Sequence, residues 1–185
     1  GRRAPGSTHV RSSADSSVYK SQVRYVVETI NTQNPDLIVI TGDFLDAKRV
    51  QAEDIAPLKN LKAPVYFSIG NHERYAGLDW VIPLLEDAGV VVLRSQTVKV
   101  GELQLIGIDD AEDKNQVRRE LAKIELDPEC FKILLYHRPL GWESAVASGI
   151  NLMLSGHTHN GQIFPFNLLV RQKFKRIRGL HTERN

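Results

Sequence analysis

The feature that most constrains the fold is a continuous apolar run that recurs along the chain. Such runs, rich in β-branched, leucine or aromatic residues, occupy residues 37–41, 65–69 and 131–136. Uninterrupted runs of this length are typical of strands buried on both faces, as in a parallel sheet. Apolar residues at helical spacing, from Tyr19 to Ile30, precede the first run. Strands that alternate with helices predict an α/β protein built in layers, mostly parallel at its centre.

Composition and element spacing favour one globular domain. The 185 residues are 42% hydrophobic and 25% charged, which are ordinary values for a single domain. We assign residues 1–17 to an irregular N-terminal segment and residues 18–185 to the domain. The pattern predicts further strands at 90–93, 97–100, 103–108 and 151–154, and further helices at 51–61, 78–88, 114–124 and 143–147.

Charge and cysteine content narrow the classes of partner. Lys and Arg number 24 against 22 Asp and Glu, so the formal charge is 24 − 22 = +2 and gives no reason to expect nucleic acid or an anionic membrane. The single cysteine, Cys130, excludes a disulfide within the chain. The apolar runs are too short to cross a bilayer. The chain begins with Gly1 rather than Met, which indicates that it is processed or cut from something longer.

Polar side chains follow four of the predicted strands. In open α/β sheets the ligand site lies outside the carboxyl ends of the strands, so we expect these side chains to meet at the same edge of one sheet. They are Asp43 and Asp46 after residues 37–41, Asn71, His72 and Glu73 after 65–69, His137 after 131–136, and His157 and His159 after 151–154. Each has an ordinary interpretation when taken alone, such as a turn or a cap. Glu73 either supports its neighbours or is simply exposed.

The chemistry of this set indicates a metal site. Imidazole, carboxylate and amide oxygen are ligands for borderline divalent ions such as Mn, Fe, Zn or Ni. The number of side chains exceeds what one tetrahedral ion needs. Two ions about 3.5–4 Å apart that share a bridging carboxylate would use all of them, which is the geometry of two-metal hydrolases.

The four motifs together resemble those of the calcineurin-like metallophosphoesterase superfamily, over about residues 9–180. The run from Gly156 to Gln162 is similar to a branch of that superfamily often attached to membrane-anchoring segments. The resemblance implies an α/β/β/α sandwich. It also implies a hydrolase, acting as a phosphatase or phosphodiesterase, that cleaves phosphomono- or phosphodiesters by in-line attack of a metal-bridging hydroxide.

The resemblance further implies roles for individual residues. The metal-binding set would be Asp43 as the bridge, Asn71, His137 and His157 at one divalent ion, and His159 and His9 at the other. His72 would be the catalytic residue that stabilises or protonates the leaving oxygen. Asp46 would orient His72 through a hydrogen bond. Residues that bind the rest of the substrate stay unassigned.

The chain departs from the family pattern at both ends. The family begins with a buried strand that ends in Asp-x-His, whereas this chain has Ser7-Thr8-His9, with Ser7 at the position of the Asp. The chain also stops at Asn185, before the strands that usually complete the second sheet. Either the first strand has been lost or replaced, or the site has degenerated. One metal site is therefore predicted to be weak, and an exposed sheet edge could allow dimerisation.

Two other functions stay open. A non-catalytic interaction scaffold of the same fold is favoured only by the serine at position 7, and it would more often lose His72, which is present. A nuclease of the same superfamily is disfavoured by the balanced charge. We therefore expect a phosphate-ester substrate and no nucleic acid partner. We expect the protein to be either cytoplasmic or membrane-associated. Any membrane attachment would come from segments outside this chain.

Overall fold

The structure is a computed structural model that describes residues 13–45, 50–159 and 179–182. Within these residues seven strands form two sheets, with orders β1-β2-β3 and β4-β5-β6-β7. Residues 1–12, which include the place where the family has its first strand, and residues 160–178, which follow the His157–His159 loop, lie outside the described residues, so the predicted loss of strands at either end stays a prediction.

The first sheet is entirely parallel. It comprises β1 (Ile38–Ile40), β2 (Val65–Ser68) and β3 (Val90–Leu93). The central strand β2 pairs with β1 on one side and with β3 on the other. All four residues of β2 are buried, as expected for an uninterrupted apolar strand with neighbours on both faces.

The second sheet is mixed. It comprises β4 (Gln96–Val100), β5 (Leu103–Ile108), β6 (Phe131–Tyr136) and β7 (Leu152–Leu154). The first two strands form the predicted antiparallel hairpin, and β5, β6 and β7 run parallel. The hairpin turns at Gly101, where φ is +58°, a value that glycine adopts without steric cost.

The helices largely follow the predicted positions. They are α1 (Ser13–Thr32), α2 (Ala52–Ile55), α3 (Asn71–Ala76), α4 (Leu78–Asp87), α5 (Gln116–Leu121) and α6 (Trp142–Ala147), and a 3₁₀ helix (Ala56–Asn60) continues α2. The first helix begins at Ser13, so the prediction that residues 13–17 are irregular was wrong. That stretch is rich in serine and has few apolar residues, and it gives no helical period of its own. Helix α3 was not predicted, because only six residues separate Gly70 from Gly77.

Three apolar clusters define the layers, and they confirm the α/β/β/α order. One packs α1, α2 and α4 against the first sheet, and a second packs α5 and α6 against the second sheet. The third lies between the sheets and joins Tyr66 and Leu93 of the first to Leu105 and Leu135 of the second. The sheets approach each other closely at Gly107, where an added Cβ would lie 2.3 Å from the Cβ of Leu93.

The expectation that the polar residues share the edge of one sheet was wrong. Asp43 and Asn71 follow β1 and β2 of the first sheet, whereas His137 and His157 follow β6 and β7 of the second. The chain changes sheets between β3 and β4, after which the two sheets stack face to face. The carboxyl ends of both sheets then meet at a shared edge, and the Asp110 N–H donates across it to the carbonyl of Ile69 at 3.1 Å.

Candidate metal centre

Four donor atoms from both sheets converge at this shared edge. The Nε2 of His137 lies 3.0 Å from Oδ2 of Asp43, 3.1 Å from Oδ1 of Asn71 and 3.1 Å from Nδ1 of His157. The Nδ1 of His157 lies 2.9 Å from the same oxygen of Asn71. The structure thus brings together four residues that the sequence singled out, and we call them the donor cluster.

A backbone contact sets the tautomer of His137. Its Nδ1 lies 2.7 Å from the carbonyl oxygen of Thr41, which can only accept a hydrogen bond. In the neutral ring the proton therefore belongs on Nδ1, and Nε2 presents a lone pair to Asp43 and Asn71. His137 is almost completely buried, so the orientation of its ring is fixed by packing as well. A neutral imidazole held in this way is the form that binds metal ions.

His157 is also prepared as a neutral donor. Burial is the largest cause that lowers the pKa of the His157 imidazole to about 4, and the nearby charge of Arg138 lowers it as well. At neutral pH the ring is therefore uncharged and can offer a lone pair. The backbone of His157 has φ +70°, a conformation that non-glycine residues rarely adopt and that is often found at functional sites.

The donor cluster fits a divalent metal ion. The lone pair of His137 faces the oxygen atoms of Asp43 and Asn71, both of which accept rather than donate. Electron-rich atoms that lie so close repel each other unless a proton or a metal cation lies among them. Mixed nitrogen and oxygen donors without thiolate suit Mn, Fe, Zn or Ni. One ligand atom from each of Asp43, His137 and His157 lies within 4.8 Å of the other two, which is close enough for all three to bind one ion.

Glu73 holds the loop that carries Asp43. Its Oε2 accepts hydrogen bonds from the N–H groups of Asp43 at 2.8 Å and Gly70 at 2.9 Å. Its Oε1 accepts from Phe44 at 2.8 Å and Leu45 at 3.0 Å. The side chain is fully buried. One carboxylate therefore ties the loop after β1 to the start of α3, which answers the question that the sequence left open about this residue.

Two glycines let these loops approach each other. A Cβ added to Gly70 would lie 2.4 Å from Oδ1 of Asp43, and one added to Gly42 would lie 2.5 Å from the backbone nitrogen of Gly70. Contacts under 3 Å of this kind require the backbone to shift. Asp43 itself has φ +55°, which directs its carboxylate towards the N–H of His72 as well as towards the donor cluster. Side chains on either glycine would separate Asp43 from Asn71.

His72 lies at the exposed side of the cluster. Its backbone N–H donates to Oδ1 of Asp43 at 3.0 Å, and its Nε2 lies 3.8 Å from Oδ2 of the same residue. The imidazole is 39% exposed, in contrast to the buried ring of His137. His72 can therefore reach both Asp43 and a molecule that arrives from solvent.

Three of the predicted site residues are not in the donor cluster. His159 is exposed, with φ +46°, and lies outside the group of metal donors found among the described residues. His9 and Asp46 lie outside the described residues, as does Ser7 at the position of the expected Asp ligand. Their roles stay predictions.

Sequence reasoning missed two ion-pair groups at the same edge. Asp109 accepts hydrogen bonds from Arg94 at 3.0 and 3.1 Å and from Arg74 at 3.5 Å. Asp110 accepts a two-fold hydrogen bond from buried Arg138, at 2.7 and 3.0 Å, which raises the pKa of that guanidinium. Both aspartates directly follow β5, so the rule already applied to the other strands would have found them.

Nitrogen and oxygen donors that converge where two stacked sheets meet define an α/β/β/α protein with a candidate metal centre. A family model described as calcineurin-like phosphoesterase matches residues 14–161. The chain therefore belongs to the calcineurin-like phosphoesterase family, whose members are metal-dependent and use divalent ions. The family confirms the predicted superfamily and fold class, and it makes a phosphate ester the expected kind of substrate.

Curated relatives carry the same family name. An uncharacterized metallophosphoesterase of Helicobacter pylori is 34% identical over 170 residues, which cover 88% of this chain and 46% of the relative. One of Aquifex aeolicus is 33% identical, over 78% of this chain and 59% of the relative. A transmembrane protein with metallophosphoesterase domain, from Bos taurus, is 34% identical, over 82% of this chain and 39% of the relative. The chain thus spans about half the length of the relatives it matches or somewhat less.

The name of the Bos taurus relative makes the length and hydrophobicity of the helices relevant. Over the residues that the structure describes, no helix has both the length and the apolar character needed to cross a membrane.

Proposed function

We propose that this chain carries the catalytic site of a metal-dependent phosphoesterase that hydrolyses phosphomono- or phosphodiesters. The observation that carries the proposal is the donor cluster, in which the Nε2 lone pair of His137 faces Asp43 and Asn71. Family membership supports the reaction class. The scaffold alternative is disfavoured, because the left-handed φ of Asp43 and the buried polar groups around it cost free energy that a merely structural loop would avoid.

We assign the binding of one divalent ion to Asp43, Asn71, His137 and His157. A second ion would be held by Asp43, His159 and His9. Such ions, when bound, lower the pKa of a coordinated water and neutralise charge on phosphoryl oxygens. The chain's contribution is to hold its donors in one protonation state: the carbonyl of Thr41 keeps the proton of His137 on Nδ1, away from Asp43.

His72 is the residue proposed to act on the leaving group. The His72 imidazole is partly exposed and lies 3.8 Å from the Asp43 carboxylate, so its protonated form can reach an ester that contacts the donor cluster. Such a proton can be given to the oxygen that leaves the phosphorus atom. Asp46 is proposed to accept a hydrogen bond from the His72 ring, which orients the ring and favours its protonated form, so that the nitrogen facing the substrate can carry a proton.

The proposal is tested by metal binding and turnover together. The full chain, loaded with Mn²⁺ or Zn²⁺, is assayed with an aryl phosphate monoester and a bis-aryl phosphodiester. His137→Ala and Asp43→Asn are expected to abolish tight binding of the ion, whereas His72→Ala keeps the ion and lowers kcat by about 10²–10⁴-fold.

His181→Ala is the control for these variants, since His181 is exposed and is not in the group of metal donors found among the described residues. It should change neither binding nor rate. Unchanged metal binding in both His137→Ala and Asp43→Asn would refute the assignment of the centre. Metal binding without hydrolysis of either ester would refute the reaction.

The proposal extends to location. The name of the Bos taurus relative supports a phosphoesterase that works beside a membrane, to which segments outside this chain would attach it. Dimerisation through a free sheet edge stays a prediction. Membrane fractionation of the natural protein and light scattering of this chain test the two statements separately.

A further inference from the structure

Two arginines converge on one carboxylate at the shared edge of the sheets. Arg74 belongs to α3 and Arg94 directly follows β3, and both donate to the same oxygen, Oδ2 of Asp109. Asp109 is buried, and its other oxygen has no hydrogen-bond partner among the described residues. A buried carboxylate with an unsatisfied oxygen lowers the stability of the fold. Here the carboxylate holds two guanidinium groups side by side.

The pair lies next to the donor cluster. Ile108, the last residue of β5, pairs in register with Tyr136, so Asp109 and His137 leave neighbouring strands at the same level. Neighbouring strands are about 5 Å apart. Arg74 is also three residues after Asn71 in α3, which puts both residues on one face of the helix. A substrate that contacts the donor cluster is therefore within reach of the arginines.

The pair also carries an excess of positive charge that faces solvent. Two guanidinium groups share one carboxylate, and their side chains are 39% and 44% exposed. Arg138, which follows the neighbouring strand β6, is buried and is paired with Asp110. Binding of an anion between like charges held together in this way is favourable, because it relieves their repulsion. The guanidinium group also matches the geometry of phosphate and carboxylate oxygens.

We propose that Arg74 and Arg94 form an anion subsite beside the metal centre, which binds a second acidic group of the substrate. The substrate class is then a phosphate ester that carries a further phosphate or carboxylate. Asp109 acts as the positioning residue that holds the two arginines. This inference rests on the proposed phosphoesterase function, and it adds a preference among esters that the donor cluster alone does not supply.

The first test compares two substrates that differ in one charge. Nitrophenyl phosphate and its ring-carboxylated analogue are assayed with the metal-loaded full chain. We expect the carboxylated ester to have the higher kcat/KM, and Arg74→Gln or Arg94→Gln to reduce that preference about tenfold, mainly through KM. Arg74→Lys and Arg94→Lys keep the positive charge but lose the planar guanidinium that can donate two hydrogen bonds to one anion. The loss of preference should therefore be intermediate.

Arg24→Gln is the matched control, because it removes the same charge from an exposed position on α1. It should leave both the rate and the preference unchanged. Each single variant leaves Asp109 with one arginine, which favours a folded protein, and thermal unfolding checks this. An unchanged preference in both Arg74→Gln and Arg94→Gln would overturn the subsite.

The second test measures binding and does not need turnover. Alkyl phosphonates and ω-carboxyalkyl phosphonates of matched arm length are titrated into the metal-loaded chain. At one arm length the carboxylate should increase affinity about tenfold, and the Arg74→Gln and Arg94→Gln variants should lose that gain. A bisphosphonate series shows whether phosphate or carboxylate is preferred.

Together the two tests distinguish a failure of the phosphoesterase proposal from a failure of the anion subsite. If neither ester is hydrolysed, the phosphoesterase proposal fails, while the phosphonate titration still decides the subsite. If esters are hydrolysed but no arm length gains affinity from the added carboxylate or phosphonate, the subsite fails and the phosphoesterase proposal stands.

Discussion

Glu73 shows how much of the site depends on a residue outside the donor cluster. Its two carboxylate oxygens accept four backbone hydrogen bonds from residues 43–45 and 70. A carboxylate suits this task because it has only acceptor sites, whereas an amide would turn a donor towards at least one backbone N–H. The loop's unusual backbone, with φ +55° at Asp43, is held against strain by these contacts.

We predict that Glu73→Gln destabilises the protein and weakens metal binding together. The amide leaves buried N–H groups facing a donor, which should cost about 2–4 kcal/mol of the free energy of unfolding. Urea unfolding measures the loss, and calorimetric titration with Mn²⁺ at low urea measures the affinity. Glu86→Gln, an exposed change on α4, is the control. Full metal affinity in a destabilised Glu73→Gln protein would show that Glu73 does not position Asp43.

At the scale of elements, the site depends on how closely the loop after β1 approaches the first turn of α3. Gly70 stands just before that helix with φ −95°, a conformation open to any residue, so its lack of a side chain matters for space rather than for backbone freedom. The space is taken by the backbone and carboxylate of Asp43.

We therefore predict that Gly70→Ala separates Asp43 from Asn71. The added methyl group should cost about 1–3 kcal/mol of stability through overpacking and reduce metal affinity at least about tenfold. Gly89→Ala is the informative control, because its φ of +84° is strained for alanine but its surroundings are open. It should lower stability by about 1 kcal/mol and leave metal binding intact. Equal metal affinity in both variants would contradict the close-approach argument.

At the scale of the whole molecule, the sequence predicted the strands and the donor residues better than their assembly. Residues 131–136 were predicted as a strand with the bounds that the structure has, and His137 was expected at its end. The division into two sheets could not be predicted, because a buried strand has the same apolar residue pattern in either sheet. The role of Glu73 could not be predicted for a related reason. Its partners are backbone N–H groups, which every residue except proline has, so the sequence does not identify them.

The division into two sheets leads to the last prediction. The donors come from both sheets, Asp43 and Asn71 from the first and His137 and His157 from the second, so one ion would tie the sheets together. An ion that binds only the folded state stabilises it by about 2.7 kcal/mol at 100 times its Kd. For a chain of this size, that should raise Tm by roughly 5–10 °C.

Thermal unfolding of the full chain with and without Mn²⁺ measures this shift. Asn71→Ala and His157→Ala each remove one of the four donors, one from each sheet, and each should remove most of the shift, because the three donors that stay are fewer than the four that a tight site uses. His159→Ala should keep most of it if the first ion needs only the donor cluster. If both Asn71→Ala and His157→Ala kept the full shift, neither side chain would bind the ion, and the assignment of the metal centre to the donor cluster would be wrong.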